Sequence, residues 1–263
     1  MQTLADLRGF VLDMDGVLYR GAEVRNGARE FIAFVQAKGI PYLLLTNNSL
    51  RTAEMYTKRL ASMGFAVPVE CIMGSAEATA SWLREQQPGA RVMVIGGVGL
   101  EEALRREGFT LVPERPVDVV VVGIDLDFTY DKARRATLAI RDGARLIGTN
   151  PDTTFPSEVG IVPGAGSILA MLEAATGQEP EIVGKPALPM MAQALRRIGT
   201  LPDQTAMVGD RLDTDILGGI RAGMPTIFIR GGVMSDAEYE ASSLRPTWVF
   251  DDLAALLEVL TGG

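Results

Sequence analysis

Histidine is absent from all 263 residues, and cysteine occurs once, at Cys71. The first absence removes the serine–histidine–aspartate triad, cysteine–histidine pairs and histidine-built zinc sites together. The second removes any intramolecular disulfide. Any chemistry must therefore use Asp, Glu, Lys, Ser or Thr, or a hard metal held through oxygen. Excess positive charge is missing too: 25 Lys and Arg stand against 33 Asp and Glu, a formal net charge of −8. A nucleic-acid binder wants a basic face, so no nucleic-acid partner is expected. An anionic substrate would meet a repulsive overall field, which some local cation would have to reverse. Long apolar runs are also lacking. The most apolar one, Val117 to Ile124, is broken by Asp118 and stopped by Asp125, far too short to span a bilayer. The opening MQTLADLRGFVLDMDG has no basic segment followed by a long apolar core, as a secretory signal would. The expected location is cytoplasmic, with no membrane partner.

What is present reads as an ordinary globular composition, 47% hydrophobic and 22% charged, long enough for two domains. Short apolar runs alternate with longer amphipathic segments. Phe10–Leu12, Tyr42–Leu45, Val92–Ile95, Val119–Val122, Leu146–Ile147, Ala206–Val208 and Thr226–Ile229 are predicted strands. Ala28–Lys38, Thr52–Met63, Glu101–Arg106, Asp131–Arg141, Met190–Ile198 and Asp215–Ala222 are predicted helices. Such alternation implies an α/β fold: a parallel sheet with helices on both faces. From about Thr79 to Pro180 the chain has a βαβ-like succession of its own, between two segments that carry unusual polar residues. That pattern suggests a domain inserted into another.

Four polar clusters stand at the ends of apolar strands. In FVLDMDGVLYRG, Asp13 and Asp15 are two residues apart, a spacing that shares a face in a strand. Carboxyl ends of parallel strands are where open α/β sheets bind ligands. Two such carboxylates repel unless a cation joins them, and Mg²⁺ suits oxygen ligands. A strand-end turn with Asp as cap and Gly16 as turn former explains the stretch about as well. In LLLTNNSLRT, Thr46, Asn47 and Asn48 follow a strand, and Ser49 or Thr52 could cap the next helix. Hydroxyl, amide and backbone N–H groups there suit an anion, though a plain cap and turn would serve. In IVGKPALPMM, Lys185 is held between Gly184 and Pro186, without the following Ser or Thr of a P-loop. It could neutralise a phosphate oxygen or be a solvated surface lysine. In MVGDRLDTDILGG, Asp210 follows a strand, while Asp213 and Asp215 read as acids at a helix N-terminus.

Taken together and in this order, DxDG, TNN, GKP and GDxxxTD resemble the motifs of the haloacid-dehalogenase-like (HAD) phosphohydrolases. Within them, the chain is similar to the NagD-like or 4-nitrophenylphosphatase branch over essentially its whole length. VVVGIDLDFTYDKARRATLAI and GTNPDTTFPSEVGIVPGAG look like that branch's α/β cap domain. The resemblance implies a Rossmann-like HAD core from residues 1–78 and 183–263, and a cap from residues 79–182 that closes over the site and selects the leaving group. It implies Asp13 as the nucleophile, forming an aspartyl-phosphate, and Asp15 as the general acid and base. Thr46 and the amides around Asn47 and Asn48 would bind phosphate, and Lys185 would bridge phosphate and nucleophile. Mg²⁺ would be held by Asp13, by the backbone carbonyl of Asp15 and by Asp210, with Asp215 holding metal-bound water or orienting its neighbours. Asp213 is not expected to be catalytic, and Arg211 to Thr214 could touch the phosphate or the metal's water. Mg²⁺ and Lys185 would supply the local positive field that the chain as a whole lacks.

The implied activity is a Mg²⁺-dependent phosphatase for small phosphomonoesters: nucleoside monophosphates, phosphoglycolate, sugar phosphates or pyridoxal phosphate. A homodimer through the cap is a further expectation. One rival is a nicotinamide oxidoreductase, but Gly96-Gly97-Val98-Gly99 fails the dinucleotide fingerprint at Glu102 and reads as a turn before a helix. Asn150 and Asp152 read as turn residues beside Pro151, in a loop that could also face the site. The remaining rivals are a phosphotransferase and a phosphate-binding relative without turnover.

Overall fold

The structure, a computed structural model, describes residues 3–157 and 159–262. They fall into two compact units. The first takes the chain up to Thr46, then Ala53–Met73, then everything from Pro186 onward; the second takes Asn47–Thr52 and Gly74–Lys185.

In the first unit, strands Gly9–Asp13, Tyr42–Thr46, Thr205–Gly209 and Thr226–Ile229 are buried at every position. Burial on both faces is why they read as continuous apolar runs rather than alternating ones. Phe10, Leu12 and Met14 point into a core with Leu44, Val208, Phe31, Ile32, Val35, Leu253 and Leu256. The intervening Val11 is equally buried, so the other face is covered as well. The sheet has six strands, ordered Trp248–Phe250, Thr226–Ile229, Thr205–Gly209, Gly9–Asp13, Tyr42–Thr46 and Ile72–Gly74. From the Trp248 strand across to the Tyr42 strand the pairing is parallel. The first strand of the chain lies in the middle. Its next strand in sequence lies on one side and the late strand Thr205–Gly209 on the other. The winding direction therefore reverses beside Gly9–Asp13, the place where an open α/β sheet leaves a crevice at its carboxyl edge.

The second unit has its own parallel sheet, ordered Glu181–Ile182, Arg145–Gly148, Val119–Val122, Arg91–Ile95 and Thr110–Leu111. Val120 and Val122 pack with Met93, Ile95, Ala136, Ile140, Leu169 and Leu172. A separate antiparallel pair, Thr154–Ser157 with Gly160–Pro163, follows the Arg145 strand. The α/β class and the parallel sheets are as the sequence implies. Among the described residues no helix is long and apolar enough to cross a membrane.

Helix ends follow local chemistry. Thr129 accepts the Lys132 N–H and caps Tyr130–Arg141. Leu188–Ile198 ends on Gly199 at φ +74°, with Arg196 and Arg197 in its last turn, where cations oppose the negative helix end. The limits of the two units follow from local contacts. Helix Ser75–Gln86 runs through residue 79 and belongs wholly to the second unit. Val183 and Gly184 donate their N–H groups to Gly148 and Thr149 carbonyls, which keeps them with that unit's sheet. Asn47–Thr52 join it as well, through bonds described below.

Candidate active site

Parallel register aligns strand ends, and the acids follow from it. Leu12 lies opposite Val208 and Asp13 opposite Leu45. Asp13 therefore ends its strand beside Gly209, and Asp210 comes one residue later on the neighbouring strand. Asp215 arrives by a less regular route. Residues Leu212–Ile216 form a π-helical turn ahead of the short helix Leu217–Arg221, with Ile216 N–H reaching back to the Arg211 carbonyl. Wide turns of this kind recur at functional sites. This one swings Asp215 back toward the strand end, where its Oδ2 accepts the Arg211 N–H at 3.2 Å.

One carboxylate oxygen each from Asp13, Asp210 and Asp215 lies within 4.8 Å of the other two. Asp210 and Asp215 are each 1% exposed. The chain makes room for them by omitting side chains. A Cβ on Gly16 would fall 2.0 Å from Asp210 Oδ2, one on Gly232 2.2 Å from the same oxygen, and one on Gly209 2.1 Å from Asp215 Cβ. The Val233 N–H donates to Asp210 Oδ2 and fixes that carboxylate from the far side. Three buried carboxylates at such spacing repel strongly in a low-dielectric setting unless a cation or protons intervene. The donor set is all oxygen, so it fits a hard divalent cation such as Mg²⁺ and not a soft metal.

Asp15 is half-buried beyond the strand end, where it bridges to Tyr19 while Gly16 N–H bonds the Tyr19 carbonyl. The same-face argument for Asp13 and Asp15 thus stops short: the strand ends at Asp13, and Asp15 sits in the turn that follows. Arg59 lies over the fully buried Tyr19 ring, 4.9 Å from its centroid. Burial raises the Tyr19 phenol above its usual range, and the negative charge of Asp15 raises it further. Thr46 ends its strand, buried, in the same unit.

The remaining site candidates belong to the second unit. Ser49 does not cap the following helix; its hydroxyl accepts the Ile124 N–H at 3.0 Å. Gly99 N–H bonds the Leu50 carbonyl, and a Cβ on Gly99 would stand 2.8 Å from Ser49 O. That accounts for the glycine turn at residues 96–99: it receives the backbone of Asn47–Thr52, and its helix starts at Val98. Asn48 Oδ1 accepts the Leu50 N–H. Asn47 Nδ2 donates to Asp152 Oδ2 and to the Lys185 carbonyl, both at 2.9 Å. Lys185 is 2% exposed, so it is no solvated surface lysine. Asp213, in contrast, is exposed and pairs with Arg211 at 2.8 Å.

Sequence reasoning missed Gly232 and Val233, although a GG pair just past the strand Thr226–Ile229 was a signal. It also gave Asp215 a supporting place, where the structure sets its carboxylate beside those of Asp13 and Asp210. Nothing in the residue pattern announces a π turn.

The match to known proteins covers the same segments. A family model described as haloacid dehalogenase-like hydrolase fits residues 10–110, and a HAD-hydrolase-like model fits residues 182–256. An acid sugar phosphatase from Staphylococcus aureus is 41% identical over 246 residues, 94% of this chain and 95% of that protein.

The chain belongs to the haloacid dehalogenase-like hydrolases.

Two solved HAD-family structures follow its fold closely. The 4-nitrophenylphosphatase from Thermotoga maritima has a TM-score of 0.93 at 33% identity, covering 98% of this chain and 99% of that one. NagD from E. coli K-12 has a TM-score of 0.88 at 35% identity, covering 94% and 97%. The chain is a phosphoric monoester hydrolase of the NagD-like branch.

Proposed function

We propose that this HAD enzyme is a Mg²⁺-dependent phosphatase of small phosphomonoesters that works through a phosphorylated Asp13. The observation that carries the reading is the trio of Asp13 and Asp210, at the carboxyl ends of adjacent parallel strands, and Asp215, brought beside them by the π-helical turn. Its acids fit Mg²⁺, which the carboxylates of Asp13 and Asp210 and the Asp15 carbonyl would hold, with Asp215 supporting them. Bound there, Mg²⁺ would offset the repulsion among the acids and stabilise charge on the phosphoryl oxygens.

In the first half-reaction an Asp13 carboxylate oxygen attacks phosphorus. The bond from phosphorus to the ester oxygen breaks, and Asp15 donates its proton to the departing alkoxide. In the second, water attacks phosphorus and gives its proton to Asp15. The bond to Asp13 breaks, and inorganic phosphate leaves. Thr46 and the N–H groups at Asn47 and Asn48 supply donors to phosphate oxygens, and Lys185 a buried positive charge. A carboxylate pair performs both tasks without histidine.

The name of the Staphylococcus aureus relative favours sugar phosphates among the substrates, ahead of nucleoside monophosphates or phosphoglycolate. We assign the second unit the cap's part: closing out water and choosing the leaving group. The test is phosphate release from 4-nitrophenyl phosphate and a panel of sugar phosphates, nucleoside monophosphates and phosphoglycolate, with Mg²⁺ and with a chelator. Metal-dependent release ranked with sugar phosphates first is expected. Release that persists undiminished in chelator would refute the metal's part, and none from any ester would refute hydrolysis.

A further inference from the structure

The loop Gly148-Thr149-Asn150-Pro151-Asp152 is more than a turn. An ordinary Asx turn is already complete when Asn150 Oδ1 accepts the Asp152 N–H at 3.1 Å. Yet Asn150, 1% exposed, also sends its Nδ2 to the Asn47 carbonyl at 2.7 Å. Ser75 Oγ donates to that same carbonyl at 2.6 Å. The Asp152 carboxylate reaches Asn47 across 105 positions of sequence, accepting one Nδ2 hydrogen at 2.9 Å. The other hydrogen of that amide goes to the Lys185 carbonyl, also at 2.9 Å. An amide NH₂ has two donors in a fixed planar fork, so placing one partner places the other. Gly184 closes the arrangement: a Cβ there would fall 2.3 Å from the Thr149 carbonyl and 2.8 Å from Asn47 Oδ1. The segment before Lys185 is thereby seated directly on the loop.

We infer that Asp152 is a positioning residue. It acts through the Asn47 side chain and sets the backbone of Asn47 and of Lys185 for phosphate. The inference rests on the phosphatase reading above. An acid is a poor choice beside groups meant for an anion, since its charge repels phosphate. Its worth lies in acceptor geometry toward Asn47. Asn47 itself then serves phosphate through its backbone N–H, because its side-chain donors are both committed.

The test compares the wild type with Asp152→Ala, Asp152→Asn, Asn47→Ala and the double Ala variant. Readouts are kcat, KM for the preferred ester, the inhibition constant of inorganic phosphate, and Tm. A wild type that releases no phosphate overturns the phosphatase reading itself, whatever the variants do. With an active wild type, Asp152→Ala is expected to raise KM and the phosphate inhibition constant about ten- to a hundredfold. Asp152→Asn keeps an acceptor and should restore most of the loss. Asn47→Ala should match the double variant, because the two residues act as one unit. If Asp152→Ala does not fold, Asp152→Ser replaces it, polar but too short to reach Asn47. Unchanged phosphate inhibition in the folded variant, an Asp152→Asn as impaired as the alanine, or additive effects of the two sites would each overturn the inference.

Discussion

Gly16 is confined twice over. Its φ of +88° lies in the region that side chains disfavour, and a methyl there would occupy the place of Asp210 Oδ2. Gly16→Ala therefore costs more than backbone strain, because relief requires moving the Asp210 carboxylate, a proposed metal ligand. We expect Gly16→Ala to weaken Mg²⁺ dependence and turnover together, by roughly a hundredfold; titrating activity against Mg²⁺ checks it. Restoring activity to wild-type levels by ordinary Mg²⁺ concentrations would show that Asp210 had not moved. Asp13→Asn replaces one carboxylate oxygen by an amide nitrogen of similar size. Its amide is no nucleophile, so turnover should fall at least about a thousandfold, while Tm stays near that of the wild type. Near-normal phosphate release from purified Asp13→Asn would remove Asp13 from the nucleophile's role.

Among the elements, the helix Leu253–Thr261 depends on one acid at its start. Asp252 accepts the Ala255 N–H at 2.9 Å and the Asn26 amide at 2.7 Å. The Asn26 bond, ahead of the backbone bonds, holds its carboxyl below the usual carboxylate range. A lowered folded pKa means that this stabilisation is present above the unfolded value and is lost as acid protonates the folded group. Asp252→Ala should cost about 1 kcal/mol at neutral pH. Chemical denaturation should show the gap between variant and wild type closing as pH falls from 5 toward 2. A gap that stays constant would mean that the carboxylate's charge does not matter there. The same scale shows what the sequence makes legible. Val119–Val122 and Leu43–Leu45 announce themselves because buried parallel strands are unbroken apolar runs. Helix Ala165–Thr176 does not, since AGSILAMLEAAT has little polar face from which to read a period. The pair Thr154–Ser157 and Gly160–Pro163 hides behind Pro156 and Pro163, residues that argue against strands. Asp13, Asp210 and Lys185 were visible because each follows an apolar run or a glycine. Asp152 could be placed only in a turn, one that could face the site, because its partner Asn47 is distant in sequence and close only once folded.

For the molecule as a whole, the proposed metal site would tie folding to a cation, because like charges held close repel and a bound cation offsets that repulsion. Three carboxylates held together within 4.8 Å repel one another in the folded state, and the unfolded chain spreads them apart. A cation that binds only the folded state stabilises it by mass action, about 2.7 kcal/mol at a hundred times its dissociation constant. Mg²⁺ should therefore raise Tm by several degrees in the absence of any substrate. Asp210→Ala should abolish most of that rise while itself melting no lower without metal. A Tm indifferent to Mg²⁺ in the wild type would deny the trio its cation. The register of the sheet has a further consequence, for the time at which the protein comes into being. Gly9 pairs with Thr205, about 200 residues further along the chain, so the strand bearing Asp13 can pair early with Tyr42–Thr46 on one side but must wait on the ribosome for its neighbour on the other. The second unit's sheet, drawn from an unbroken stretch of sequence between Arg91 and Ile182, has all its strands available earlier. A nascent chain that stalls before Asp210 is made can hold a folded domain and still lack the proposed metal site, and the unpaired edge of its apolar first strand would stand open to chaperones or to aggregation.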